Sequence, residues 1–226
     1  ALYNLGISHK RIGDAPAALA VFEKLHAIEP EAVEVLWHIA DLHDGGGDAR
    51  AAIKWFKILN ARVPTDAGVL ARLGVIYQRE DDEAQAYHFF LESYRYYPCD
   101  MNVLSWLGAY FVKSEMYEKA VSFFERAALI APHEVKWRLM VASCHRRSGE
   151  YALAYEVYLA LHAEHPENVE CLRYLVQICD DLGKKERVHE FVMKLRKAER
   201  DAVLADDVAP RAAEPPPPQP HAGGGE

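Results

Sequence analysis

The amino-acid sequence predicts an all-α superhelical solenoid of six helix-turn-helix repeats, and three sets of evenly spaced residues predict it. Pro30, Pro64, Pro98, Pro132 and Pro166 follow one another at steps of 34 residues. Gly13, Gly47, Gly149 and Gly183 keep the same register, with Asp81 and Glu115 in the two slots between. Ala18, Ala52, Ala86, Ala120 and Ala154 do so as well. Each of these alanines is followed four residues later by an aromatic side chain: Phe22, Phe56, Phe90, Phe124 and Tyr158. A fixed period of this length is the mark of stacked supersecondary units, each of which buries its apolar face against the next.

The three sets match the tetratricopeptide repeat (TPR) pattern, W-x2-L-G-x2-Y, then A-x3-F, then P. The third unit reads Leu70, Leu73-Gly74, Tyr77, Ala86, Phe90, Pro98, and the fourth reads Leu104, Leu107-Gly108, Phe111, Ala120, Phe124, Pro132. The first helix of each unit, helix A, has apolar residues at i, i+3 and i+7. It stops near a glycine able to take the left-handed conformation. Asp14, Asp48 and Asp82 then suit the N-cap of the second helix, helix B, and Glu150 is a weaker cap at the same place. The small alanine of helix B permits close approach to helix A, and the aromatic four residues on fills the space beside it. Proline ends helix B, because it cannot supply the next N–H.

The expected layout is a TPR array over residues 1–200, in units of about 1–30, 31–64, 65–98, 99–132, 133–166 and 167–200. The sixth unit departs from the pattern, with Val188 and Val192 where the alanine and the aromatic belong and no closing proline. Terminal repeats are atypical because one face meets solvent. Its last helix is expected to run on through Lys194–Lys197 towards Ala205. Residues 201–226, with Pro215–Pro218, Pro220 and Gly223–Gly225, are expected to be a disordered tail. Ala1 falls inside helix A of the first unit, so the array is expected to continue in the N-terminal direction.

Composition narrows the function classes. The chain has 226 residues, half of them hydrophobic, and a formal net charge of −8. It lacks the basic stripe of a nucleic-acid binder. No apolar run approaches the roughly 20 residues that span a bilayer. Four cysteines, Cys99, Cys144, Cys171 and Cys179, form no CxxC pair, which fits reduced thiols in the cytosol. His162 and His165 are too poorly placed near Pro166 to oppose one another as ligands, and zinc wants four converging donors. No nucleophile elbow, phosphate loop, metalloprotease or dinucleotide motif occurs. Paired acids such as Asp81-Asp82 and Asp180-Asp181 fall at turns and helix ends, where capping explains them. No catalytic residue, metal, cofactor or small-molecule substrate is expected, and the reading is a non-enzymatic scaffold that holds other proteins.

Helix A offsets give the candidate partner-binding residues of the concave groove: Trp37 and Asp41, Ala71 and Val75, Ser105, Ala109 and Val112, Lys136, Leu139 and Arg146, and Arg173. The middle of this surface is small and apolar, with acidic residues on one side and basic ones on the other. It suits an amphipathic helix or extended segment with mixed charges of its own. The Lys/Asn/Lys/Arg clamp with which TPR co-chaperones hold acidic peptides is not found in consecutive units.

Several stretches are more specific than the repeat pattern. They are Glu92–Cys99, Trp106–Tyr110, Val135–Cys144, Arg146–Gly149 and Pro166–Arg173. Together they resemble the C-terminal TPR block of the polaris-type subunit of intraflagellar transport complex B, over about residues 1–197. The resemblance implies a structural subunit of the anterograde train that assembles and maintains cilia and flagella. It implies other complex B subunits as partners. It also implies a location in the cilium or flagellum, at its base (the basal body) and in the cytoplasm. The alternative is a TPR adaptor of a non-ciliary complex, in chaperone or cell-cycle assembly.

Overall fold

In the computed structural model the described residues are 1–208, and the side chains of 202 and 204–208 are not among them. They form twelve α-helices and no strand: α1 (Leu2–Ile12), α2 (Ala15–Ile28), α3 (Val33–Gly45), α4 (Ala49–Arg62), α5 (Ala67–Arg79), α6 (Glu83–Tyr96), α7 (Met101–Lys113), α8 (Tyr117–Ile130), α9 (Val135–Arg147), α10 (Tyr151–Glu164), α11 (Val169–Asp181) and α12 (Lys185–Val208). Odd-numbered helices are the A helices of the repeats and even-numbered ones the B helices. The chain divides into two compact units, Ala1–Glu150 and a second that begins at Tyr151. In the first, α1 to α8 pair as four hairpins and α9 packs on α8; in the second, α10 packs on α11 and α11 pairs with α12.

Each turn follows from residue chemistry. Every helix A ends in a left-handed residue at the 34-step position: Gly13, Gly47, Gly149 and Gly183, with Asp81 (φ 57) and Glu115 (φ 59) in the two non-glycine slots. That twist brings the next N–H back onto the last turn, as in Asp14 to the His9 carbonyl at 3.0 Å and Met116 to the Phe111 carbonyl at 2.8 Å. Asp14, Asp48 and Asp82 then accept from the backbone N–H of Ala17, Ala51 and Gln85 and cap helix B. Met116 stands in the corresponding place before α8 and supplies no cap. Helices α2, α4, α6, α8 and α10 each stop two residues before their proline. The residue in between leaves the helical region, as Val63 does at φ −128, because proline crowds the residue before it.

The core repeats with the same period. Ala18, Ala52, Ala86, Ala120 and Ala154 are fully buried, and Phe22, Phe56, Phe90, Phe124 and Tyr158 are at most 3% exposed. Helix A comes so close to the ring that a methyl carbon placed at Gly108 would lie 2.5 Å from Phe124, and one at Gly74 would lie 2.9 Å from Phe90. In the first unit the buried side chains form one cluster from Leu36 to Cys144 and another around Ala18, Phe22, Val35 and Ile39. In the second unit Val188 and Val192 are only half-buried, and Phe191 and Ala198 are buried side chains of α12. Helix α12 continues to Val208, past the boundary expected at residue 200. Residues 201–208 hold no proline or glycine that would stop the helix. The rest of the expected tail, 209–226, lies outside the described residues.

Candidate functional site

The sequence-predicted groove residues of the first unit fall into two groups. Trp37, Ala71, Val75 and Val112 are half-buried against the core, with Trp37 set edge-on to Phe56 at 5.4 Å. Ser105 is half-buried and Ala109 exposed, both on α7. Lys136 is exposed on α9, but its ammonium lies 2.6 Å from the Glu134 carboxylate and 4.4 Å from the Trp137 ring centroid. Arg146 is half-buried. Leu139 is only 4% exposed and packs inside, whereas Met140 is 45% exposed. In the second unit Arg173 is exposed and pairs with Glu199 at 2.8 Å.

Asp41 does not stand as a free acid. Its carboxylate takes Lys10 of α1 at 2.6 Å and Arg72 of α5 at 2.8 Å. Asp44, one turn on and 6% exposed, takes Arg72 at 2.8 Å and pairs with Arg79 as well. A ladder of alternating charge therefore crosses α1, α3 and α5 and neutralises the acidic end of the surface from within. His38 joins it, 3.2 Å from the Tyr3 hydroxyl and 3.5 Å from the Lys10 ammonium, with its ring stacked on Phe22. Burial, and then the Lys10 charge, hold the His38 imidazole below its ordinary value.

His38, Arg72, Trp106 and Met140 occupy one position of successive A helices, and it is this position, one residue after the sequence offset, that decides what lies open. Trp106 lies 4.6 Å from Phe90 and 5.4 Å from Tyr110, which stacks in turn on Tyr87 at 4.6 Å. These rings fill the space between α6 and α7. One repeat later the slimmer Met140 faces Ser105 and Ala109 and leaves a cleft of about 510 Å³. Phe124, Trp137 and Val112 also line it, and Lys113, Glu115, Tyr117 and Arg147 stand around it. Of the sequence candidates, the structure brings Ser105, Ala109 and Val112 together here.

Residues 3–67 match the family model described as tetratricopeptide repeat. The crystal structure of YrrB, a TPR protein with an unusual peptide-binding site, superposes with a TM-score of 0.66 at 17% identity, covering 82% of this chain and 96% of that one. That of MamA superposes at 0.61 and 17%, covering 74% and 91%. The fold is a tetratricopeptide-repeat array. A stretch of 74 residues in this TPR chain is 57% identical to the Homo sapiens intraflagellar transport protein 88 homolog. The match takes in 33% of the chain and 9% of that protein's length, a shorter span than residues 1–197.

Other chemistry in the TPR array is sparse. Among the described residues no three or more His, Cys, Asp or Glu side chains converge closely enough to hold a metal ion, and no helix is long and apolar enough to cross a membrane. Cys144, Cys171 and Cys179 are buried and Cys99 is exposed. Burial pushes the Cys144 thiol up to about 11, far from a reactive thiolate. His162 packs against Phe191, and burial followed by the Lys194 charge lowers its imidazole. Sequence reasoning missed Arg72, Arg79, Lys10 and Met140. The 34-residue step carried the signal for two of them, since Arg72 and Met140 are in register with His38 and Trp106.

Proposed function

We propose that this chain belongs to a structural, non-enzymatic subunit of the anterograde intraflagellar transport train, where its TPR array holds other subunits of complex B. The observation that carries the reading is the identity of 57% over 74 residues with the human intraflagellar transport protein 88 homolog. Identity at that level in a TPR array exceeds what the shared repeat pattern demands, because the pattern fixes only a few positions per repeat. The site fits the role. It offers a groove with an apolar cleft and charged rim, a surface suited to a protein segment. The subunit would act at the ciliary base and in the cilium or flagellum during assembly and maintenance. The test is tagged expression in a ciliated cell followed by co-purification. Recovery of complex B subunits is the expected result, and their absence from a recovered, folded bait overturns the proposal.

A further inference from the structure

We infer that the α7–α9 cleft receives a mixed-charge amphipathic segment of a partner protein. The segment inserts a bulky apolar side chain between Ala109 and Met140, sets a carboxylate against Arg147 and a cation against Glu115. This deepens the scaffold reading and rests on it. The cleft floor is apolar: the rings of Phe124 and Trp137, with Val112 and the exposed thioether of Met140. In the preceding repeat the corresponding space is closed by the chain's own Trp106 and Tyr110. A side chain from outside would do at Met140 what Trp106 does internally, covering apolar surface that water now meets. Methionine suits such a place because its unbranched chain adapts to the shape of an incoming group.

The charges around the cleft select the occupant. Lys113 is engaged by Glu83 at 2.7 Å, and Lys136 by Glu134 at 2.6 Å. Arg147 and Glu115 both line the cleft, and neither has an ion-pair partner among the described residues. A segment carrying one sign only would meet a like charge at one of them, and like charges held close are repelled. A segment bearing both signs beside an apolar face meets neither penalty. From Ser105 to Val112 the cleft follows two turns of α7, about 10 Å, which matches apolar anchors at i, i+3 or i+4, and i+7 of a partner helix.

The experiment uses the full chain and three labelled synthetic peptides, with affinity read by fluorescence anisotropy. The first carries a Leu/Phe face with Glu and Lys beside it. The second replaces that Glu by Lys, and the third keeps the charges but replaces the face by Ser. The first peptide is expected to bind about tenfold or more tightly than the other two, the scale of one buried anchor. Ala109→Trp fills the cleft and is expected to abolish the preference. Met140→Lys, at an exposed position, is expected to do the same without overpacking. Arg147→Glu should move preference to the all-Lys peptide. Equal binding of the first and third peptides, no binding of any, or an unchanged profile in both cleft variants overturns the inference. Complex B subunits still recovered by the Ala109→Trp bait would sink the cleft and leave the scaffold standing. Their absence from the wild-type bait would sink the scaffold reading whatever the peptides do.

Discussion

At the scale of single residues the repeat works by exclusion of atoms. Gly108 is glycine because Phe124 occupies the space its side chain would need. Gly108→Ala is expected to destabilise the chain by about 1–3 kcal/mol in urea unfolding. The lower half of that range is favoured, because Ala40 holds the same repeat position before Phe56, so one repeat already accommodates a methyl there. Glu115 illustrates the opposite case. It holds a left-handed φ of 59 with no glycine to relax it. The conformation costs a non-glycine residue about 1–2 kcal/mol, partly offset by the entropy glycine loses on folding. Glu115→Gly should therefore stabilise by about 0.5–1 kcal/mol, read as a higher urea midpoint at unchanged slope. His38 supplies the pH term. Its folded value is lowered from about 6.5 by burial and by Lys10. The unfolded chain then takes up a proton before the folded chain does. Stability is fully present above about pH 6.5 and falls as the pH drops from there towards the folded value. A pH series of thermal melts should show a steeper loss below pH 6.5 in the wild type than in His38→Gln, and parallel curves would refute the assignment.

At the scale of the helical element, the hairpin is defined by the contact of alanine with helix A and of the ring beside it. Phe124→Ala removes a ring that is 3% exposed and also floors the cleft, so a loss of about 3–5 kcal/mol is expected. Ala120→Leu overpacks the fully buried contact and should cost about 1–3 kcal/mol. Melts with both variants at wild-type stability would contradict the packing. The elements were legible in the sequence because what sets them is local. A proline, a left-handed residue, an aspartate cap and an alanine-to-ring spacing each act within one turn, and the 34-residue step repeats the message. The A-helix caps are a signal of the same kind that the sequence reading missed: Asp66, Asp100 and Asn168 stand two residues after their prolines and accept from the backbone N–H of Val69, Val103 and Cys171. The groove was legible only in part. Which of Leu139 and Met140 faces out depends on how neighbouring A helices are rotated, and no single helix records that. Asp41 read as part of an acidic side because its partners, Lys10 and Arg72, come from other repeats.

At the scale of the whole molecule, the consequence of a repeat fold is that stability is a sum of neighbour terms. In the first unit each hairpin packs chiefly on the helices next to it in sequence, and buried side chains join these contacts into a chain rather than a central ball. The charge ladder through Lys10, Asp41, Arg72, Asp44 and Arg79 ties three A helices together, yet it too links only adjacent repeats. Nearest-neighbour coupling of this kind predicts that local damage stays local. Phe124→Ala takes its contacts from the α7, α8 and α9 neighbourhood, where Trp137 lies 6.4 Å from the Phe124 ring. Under native conditions the variant should therefore show faster amide hydrogen exchange in α7 to α9, a smaller rise in α5 and α6, and wild-type exchange in α1 to α3. A globular domain unfolding as one cooperative unit would behave otherwise, since every slow amide would gain the same rate factor from the same loss of free energy. Peptide-resolved exchange by mass spectrometry distinguishes the two. A uniform acceleration from α1 to α9 would mean that the first unit opens all at once, and the additive account of its stability would fail.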